Sequence, residues 1–377
     1  MRKLWTAILA SLFLVQAGFA AEETIRIGVF NCLSGPNSFG GQLELEGTRM
    51  AHKEYPEALG KKIELFVVDN KSDISESANA VALLVERDKV SAVIGCNGSS
   101  FAMAGSEVAE KAGIPMMVTS ATSPLVTQNK NYCFRACFTD TYQAAGAATY
   151  ARYNLELRKA ALLIDTTKDY SIGLAAYFKR EFLRLGGEIV AEVRYQAGEA
   201  DMAPQIAEIA AAQPDIVFLP VDNVTEGIFI LNQARESGAA VRFMCGDGVD
   251  DPEIASLGEG VAEGLIYTTF AYHPSMQGMN PVAKKFTDLW KEAYPDKAPN
   301  SNAALGYDAY ILLLGAIERA GSTDPEAVRQ ALAETRNVPT ATGLTTMNAT
   351  HDAEKELGIM EIRNGEKIFI GTVKPAI

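Results

Sequence analysis

Small hydroxylated and acidic residues recur directly after short apolar runs, and these positions hold most of the reactive groups in the chain. Ser99 and Ser100 follow the run at 90–95 and open an amphipathic stretch, with Gly98 allowing close backbone approach. Free N–H groups at a helix start, aided by the helix dipole, hold an anion such as a carboxylate. The plainer alternative is that Ser99 only caps its helix. Ser120-Ala121-Thr122 follows the next run, 115–119, and faces the same crevice in a doubly wound sheet. Asp247, between Gly246 and Gly248, ends a later run. It is either turn chemistry or the partner of an ammonium opposite the carboxylate site. Tyr170 follows the run at 160–164, either as a half-buried loop aromatic or with its ring on the same cation. Asp222 stands at a further exit, where it either faces the crevice or caps the helix beginning near Thr225. Taken together, these groups suit a small zwitterion.

Catalytic signatures are missing. His52, His273 and His351 are the only histidines, widely separated, and no G-x-S-x-G, H-E-x-x-H, P-loop or G-x-G-x-x-G motif occurs. Asp247 has neither a nucleophile nor a metal to serve. No catalytic residue, metal or cofactor is expected. Cys32, Cys96, Cys133, Cys137 and Cys245 are odd in number and match no zinc spacing. On one extended strand Cys133 and Cys137 lie about 13 Å apart at ~3.3 Å per residue, too far for a bridge.

The elements that must place these groups alternate regularly. Strands are expected near 25–30, 63–68, 90–95 and 115–119, then 160–164, 188–195, 216–220 and 242–245. Helices of 10–15 residues separate them, including 44–55, 141–154, 172–185, 202–212 and 225–237. Apolar, β-branched runs split by helices imply parallel sheets covered on both faces. Two such series in 377 residues imply two doubly wound lobes. Helices at 282–294, 303–320 and 325–334 follow, with short strands near 359–362 and 367–373.

Charge and the N-terminus narrow the class. Lys+Arg total 34 against 47 Asp+Glu, so nucleic acid and anionic lipid are poor partners. Arg2 and Lys3, an apolar stretch at 4–15 and Gly18-Phe19-Ala20 read as a signal peptide over 1–20, cleaved after Ala20. The run is too short for a membrane span, and no Cys follows it to take a lipid. Cleavage leaves 32 basic and 47 acidic residues, a net charge of −15.

The order and spacing of several short motifs resemble the bacterial leucine/isoleucine/valine-binding proteins, the type I periplasmic solute-binding components of ABC transporters. They include Leu33-Ser-Gly-Pro36, Val93-Ile-Gly95, Ser99-Ser100, Thr119-Ser-Ala-Thr-Ser-Pro124, Phe134-Arg135, Asp140, Gln143, Glu263-Gly264-Leu265 and Gly306-Tyr307-Asp308-Ala309. The same fold forms the ligand-binding ectodomain of metabotropic glutamate receptors. The resemblance covers essentially the whole mature chain and implies two closing lobes joined by three hinge crossovers, near Asp140, Phe270 and Glu356. Lobe 1 would be 22–140 plus 271–356, and lobe 2 would be 141–270 plus 357–377.

Carried over by position, the carboxylate-binding serine falls on Ser99, with Ser100 beside it, and the second carboxylate segment on Ser120-Ala121-Thr122. The pocket tyrosine falls on Tyr170, the ammonium-binding acid on Asp247 and a mouth aromatic on Phe39. Asp140 resembles the ammonium-binding Asp of the receptor branch, or simply caps its helix. Two departures stand out. Asp222 replaces the tyrosine that branched-chain binders place in the side-chain pocket, and the family's first-lobe disulfide has no Cys at either position. The implied strand order 2-1-3-4-5 makes Cys32 and Cys96 neighbours, bridged or as two free thiols.

The expectation is therefore a monomeric, exported periplasmic protein that captures an amino acid and hands it to an inner-membrane ABC permease. Its rivals are a binder of another solute, such as urea, a short amide or an aromatic acid, and, more remotely, an exported hydrolase or lyase.

Overall fold

A computed structural model describes residues 24–256 and 260–376. The expected signal segment lies outside them. Strands β1 (Ile25–Asn31), β2 (Glu57–Ala58), β3 (Lys61–Asp69), β4 (Ala92–Ile94), β5 (Met116–Val118) and β6 (Cys133–Arg135) form one sheet in the order 2-3-1-4-5-6. All pairs are parallel except the short β2–β3 hairpin. A second sheet contains β7 (Lys159–Asp165), β8 (Glu188–Tyr195), β9 (Ile216–Leu219), β10 (Phe243–Cys245) and β11 (Ile266–Phe270). Strands β12 (Val338–Thr340), β13 (Gly343–Met347) and β14 (Ala353–Glu354) make a small third sheet. The chain then returns to the second sheet as β15 (Leu357–Arg363) and β16 (Glu366–Val373), giving the order 16-15-11-10-9-7-8. Set aside the β2 hairpin and the antiparallel β15–β16 edge, and each large sheet has the doubly wound order 2-1-3-4-5.

Burial explains why these runs are strands. β9 is buried along its whole length, and β7 everywhere but its first residue, as expected of strands covered on both faces. The covering helices are α1 (Ser38–Glu54), α2 (Ile74–Glu86) and α3 (Ser99–Ala112) on the first sheet. Around the second lie α4 (Asp140–Thr149), α5 (Asp169–Arg184), α6 (Ala203–Ala211), α7 (Val224–Glu236) and α8 (Glu253–Ser256). Helices α9 (Pro281–Ala293), α10 (Ser301–Ala320) and α11 (Pro325–Ala333) return to the first lobe. Asp73 caps α2 by accepting the Glu76 N–H at 2.9 Å.

Six elements depart from the sequence reading. α1 begins at Ser38, ahead of the expected start near 44, because packing on β1 and α10 outweighs the low helix propensity of Gly40 and Gly41. α4 ends at Thr149, and residues 150–154 continue as a π-type turn. Strands β6 and β12–β14 are two to five residues long, too short to show a period. α1 and α10 pack at backbone distance. A Cβ on Gly47 would lie 1.9 Å from the Ala303 carbonyl oxygen, and one on Gly306 would lie 1.9 Å from that of Glu44.

The chain passes between the two large sheets three times: after β6, after β11 and between β14 and β15. At the last passage Lys355 is buried, with Nζ 3.1 Å from Asp308 Oδ2 and 2.8 Å from Thr340 Oγ1. Asp308 also accepts the backbone N–H groups of Ala341 and Thr342. That ion pair ties α10 to the segment linking the lobes.

Candidate ligand-binding cleft

The cleft lies where the carboxyl ends of both sheets face each other, the place a doubly wound sheet reserves for ligands. It encloses about 510 Å³ of empty space, part of it open to solvent. Ser99, Ser120, Ala121 and Thr122 line it from lobe 1, and Tyr170, Asp222 and Asp247 from lobe 2. Phe39 stands at the mouth, 39% exposed.

On lobe 1, Gly98 is the N-cap of α3, at φ 80°, and Ser99 is the first helical residue. The simple capping role for Ser99 is therefore not what the structure shows. Its hydroxyl instead accepts the Ser123 N–H at 3.1 Å, tying the start of α3 to the β5 exit. The Thr122 hydroxyl is buried and has no hydrogen-bond partner. An orphaned hydroxyl beside the free N–H groups of a helix start is a pair of donors awaiting an anion. Ser120 is placed differently. Its hydroxyl donates to Glu44, which also accepts from Asn31 Nδ2 at 2.9 Å and Thr119 Oγ1 at 2.6 Å. Burial raises the Glu44 carboxyl to about 7, against the pull of these three hydrogen bonds.

On lobe 2, Asp247 Oδ1 accepts both Gln143 Nε2, at 2.7 Å, and the Tyr170 hydroxyl, at 2.9 Å. Burial lifts its carboxyl to about 6, while Gln143 and Tyr170 oppose the rise. Tyr170 thus reaches the site with its hydroxyl, which aligns Asp247. Gln143 stood out in the sequence only as a family landmark; it lies in the first turn of α4 and spans from there to Asp247 and Thr268.

Two expected residues fall outside the lining. Ser100 lies one helical step from Ser99 and points to the other lobe, where its hydroxyl donates to Asp169 Oδ2 at 2.9 Å. Asp140 opens α4 beneath the cleft, fully buried, with neither carboxylate oxygen hydrogen-bonded. Burial raises it to about 8, opposed by the nearby Thr122 hydroxyl and reinforced by Asp247.

Asp222 does not cap α7; Asn223 does, accepting the Glu226 N–H at 2.9 Å. The Asp222 carboxylate turns to the cleft, taking Asn37 Nδ2 at 3.1 Å and lying 3.7 Å from Lys168 Nζ. Burial pushes its carboxyl up, opposed by Lys168 and Asn37. Sequence reasoning missed Asn37, Asp251 and Asn302 as lining residues, whereas Asn97, at a strand exit, was expected to face Asp222 across the cleft and does line it. Asn97 Nδ2 donates to the Asn37 carbonyl at 3.0 Å, and Oδ1 of both asparagines is buried without a partner. This end of the cleft is rich in acceptors.

The lobes touch across it. Besides Asn37–Asp222 and Ser100–Asp169, the Asn300 and Asn302 side chains donate to the Asp250 carbonyl at 2.8 and 3.2 Å. Asp250 also binds Lys367 at 2.5 Å and accepts the Thr269 and Ser301 hydroxyls. Against the cost of burial, Lys367 and those hydroxyls hold its carboxyl below the usual range. All five cysteines are buried free thiols, Cys32 and Cys96 among them.

Two sheets of doubly wound order, three crossings and a polar cleft between them define a bilobed solute-binding protein, and the chain belongs to the periplasmic binding protein family, whose model matches residues 24–367. Among its relatives is the leucine-, isoleucine-, valine-, threonine- and alanine-binding protein of Pseudomonas aeruginosa, 29% identical over 89% of this chain and 91% of that one. The leucine-binding protein LivK of Thermotoga maritima superposes with a TM-score of 0.90 at 37% identity, over 93% of this chain and 99% of its own. LivJ of Streptococcus pneumoniae, solved with isoleucine, gives 0.86 at 29% identity, over 94% and 100%. No helix among the described residues is long and apolar enough to cross a membrane.

Proposed function

We propose that this protein is exported by a signal peptide over residues 1–20, captures a free amino acid as a monomer and presents it to an inner-membrane ABC permease. The observation that carries the reading is the opposition of two half-sites. Lobe 1 brings the α3 N-terminus and the unpartnered Thr122 hydroxyl; lobe 2 brings Asp247, aligned by Gln143 and Tyr170. The first suits a carboxylate and the second an ammonium, and closure pairs both charges as they leave water. The relatives' names point to the same class of ligand.

The side-chain end supports a finer assignment. Asn37 Oδ1 and Asn97 Oδ1 are buried acceptors without a partner beside the Asp222 carboxylate, and an aliphatic side chain leaves them so. The ligand's side chain carries a hydrogen-bond donor. A thermal-shift panel of the twenty amino acids, with urea, acetamide and benzoate added, tests both levels. Amino acids with donor-bearing side chains are expected to stabilise most. Leading shifts from leucine, isoleucine and valine would overturn the polar side chain. Stabilisation by urea, acetamide or benzoate alone would overturn the amino acid.

A further inference from the structure

The ligand cleft leaves one group of buried acids on lobe 2 without a task. Lys168 and Asp222 form a wall, and beyond it lies a second cavity of about 960 Å³, open to solvent. Met202, Phe229 and Ile230 give it an apolar floor, and Tyr195 and Glu226 line its polar side. Glu199 also lines it, but its oxygens are taken by the Gln196 N–H and the Gln205 amide.

Glu226 is the anomaly. An Asn-x-x-Glu pair at a helix start usually closes reciprocally, the glutamate returning to the N-cap N–H. Here Asn223 caps α7, yet both Glu226 oxygens are buried with no hydrogen-bond partner. The Tyr195 hydroxyl, on a residue 3% exposed, and Asp165 Oδ2, on one 1% exposed, are equally unpartnered. The Tyr195 hydroxyl lies beside Glu226, at the limit of a hydrogen bond. Even a bond between them would leave one Glu226 oxygen and Asp165 Oδ2 without a donor. Burial raises the Glu226 carboxyl to about 7, with Asp165 and Asp222 adding to the rise and the Tyr195 hydroxyl and then Lys168 opposing it. Lys168 is already paired with Asp222, so the cluster lacks a cation. No group of His, Cys, Asp and Glu suited to a metal ion occurs among the described residues.

We infer that lobe 2 carries a second binding site, beside the amino-acid cleft, for an amine cation with an apolar body. Its ammonium donates to Glu226 and meets the Tyr195 hydroxyl, with the Asp165 charge behind them, while its body covers Met202, Phe229 and Ile230. The site goes beyond the cleft assignment and does not depend on it.

Benzylammonium is the probe, with benzyl alcohol as its neutral analogue, titrated by calorimetry into the full protein. Because the cleft has an ammonium position of its own, the titration is repeated on Glu226→Gln, Tyr195→Phe and Asp247→Asn. Saturable benzylammonium binding is expected in the wild type and unchanged in Asp247→Asn. Glu226→Gln should weaken it about tenfold or more, Tyr195→Phe by several-fold, and benzyl alcohol should bind about tenfold more weakly than the amine. Absence of saturable binding to the wild type, equal binding of the alcohol, or loss in Asp247→Asn alone would overturn the site. If Glu226→Gln fails to fold, judged by circular dichroism, Tyr195→Phe and the alcohol comparison decide. An amino-acid panel that fails leaves this test standing, and the reverse holds.

Discussion

Asn37 holds Asp222 from the opposite lobe with one amide nitrogen, 3.1 Å from the carboxylate and 3.0 Å from the same residue's backbone carbonyl. The contact exists only while the lobes are together, so it acts as a latch on closure. Asn37→Ala removes a hydrogen bond to a charged acceptor, about 1.5–3 kcal/mol. Ligand affinity is expected to fall about ten- to a hundredfold, and small-angle scattering should show a larger radius of gyration at equal ligand concentration. Unchanged affinity and scattering would show that the latch is idle.

Asp247→Asn is expected to abolish amino-acid binding while the fold stays intact. Removing one partner of a buried charge pair costs about 3–5 kcal/mol, or two to four decades in affinity. Calorimetry with the best ligand from the panel measures it. Tyr170→Phe should lose less, since Gln143 still holds Oδ1 at 2.7 Å.

The same carboxyl sets a pH dependence. Its ligand-free value is raised to about 6, and only the ionised form attracts an ammonium. Affinity should therefore rise as pH increases toward 6, level off above it, and drop about tenfold per unit below. A flat profile between pH 5 and 7 would remove Asp247 from the ammonium position.

Asp140 affects stability with a definite sign. Its folded value, about 8, lies above the ordinary 3.8, so the folded state holds the proton more tightly. Its contribution is present at pH 4 and is lost as pH rises toward 8. Asp140→Asn abolishes that titration. The mutant's melting temperature, relative to wild type, should climb steadily between pH 4 and 8, and a constant difference would contradict the assignment.

Lys355 and Asp308 are buried together at 3.1 Å, at 1% and 0% side-chain exposure. Burial lowers the Lys355 ammonium and Asp308 opposes the fall. Lys355→Met strands the carboxylate and should cost about 3–5 kcal/mol in urea unfolding. Adding Asp308→Asn should restore part of it; two fully additive losses would show that the pair does not interact.

Ser99, Thr122 and Asp247 were legible because strand exits follow from the strand–helix alternation alone. Ser100 was not separable from Ser99: neighbours on a helix point about 100° apart, and only tertiary packing decides which one meets the cleft. Gln143 and Asp140 pose the same problem on α4, where the uncharged residue reaches Asp247 and the acid lies beneath the cleft. Asn37 and Asn302 escaped because asparagine in a loop or at a helix start reads as turn or cap chemistry. Glu44 entered the sequence reading only as the start of the helix expected over 44–55. It is buried because its three hydrogen-bond donors arrive from the ends of two strands.

The backbone contact between α1 and α10 also constrains how the molecule is made. Gly47 and Gly306 fit only against each other's helix, yet they come from opposite ends of the chain. A polypeptide emerging from its N-terminus completes every strand of the first sheet long before the helix that must cover it. Contacts so distant in sequence form slowly, and the second sheet waits longer still, since β15 and β16, which pair beside β11, come from the last residues of the chain. Neither lobe is complete until the chain is nearly finished. A chain that stops before α10 therefore leaves each large sheet without an element that completes it: the first without its covering helix, the second without its two edge strands.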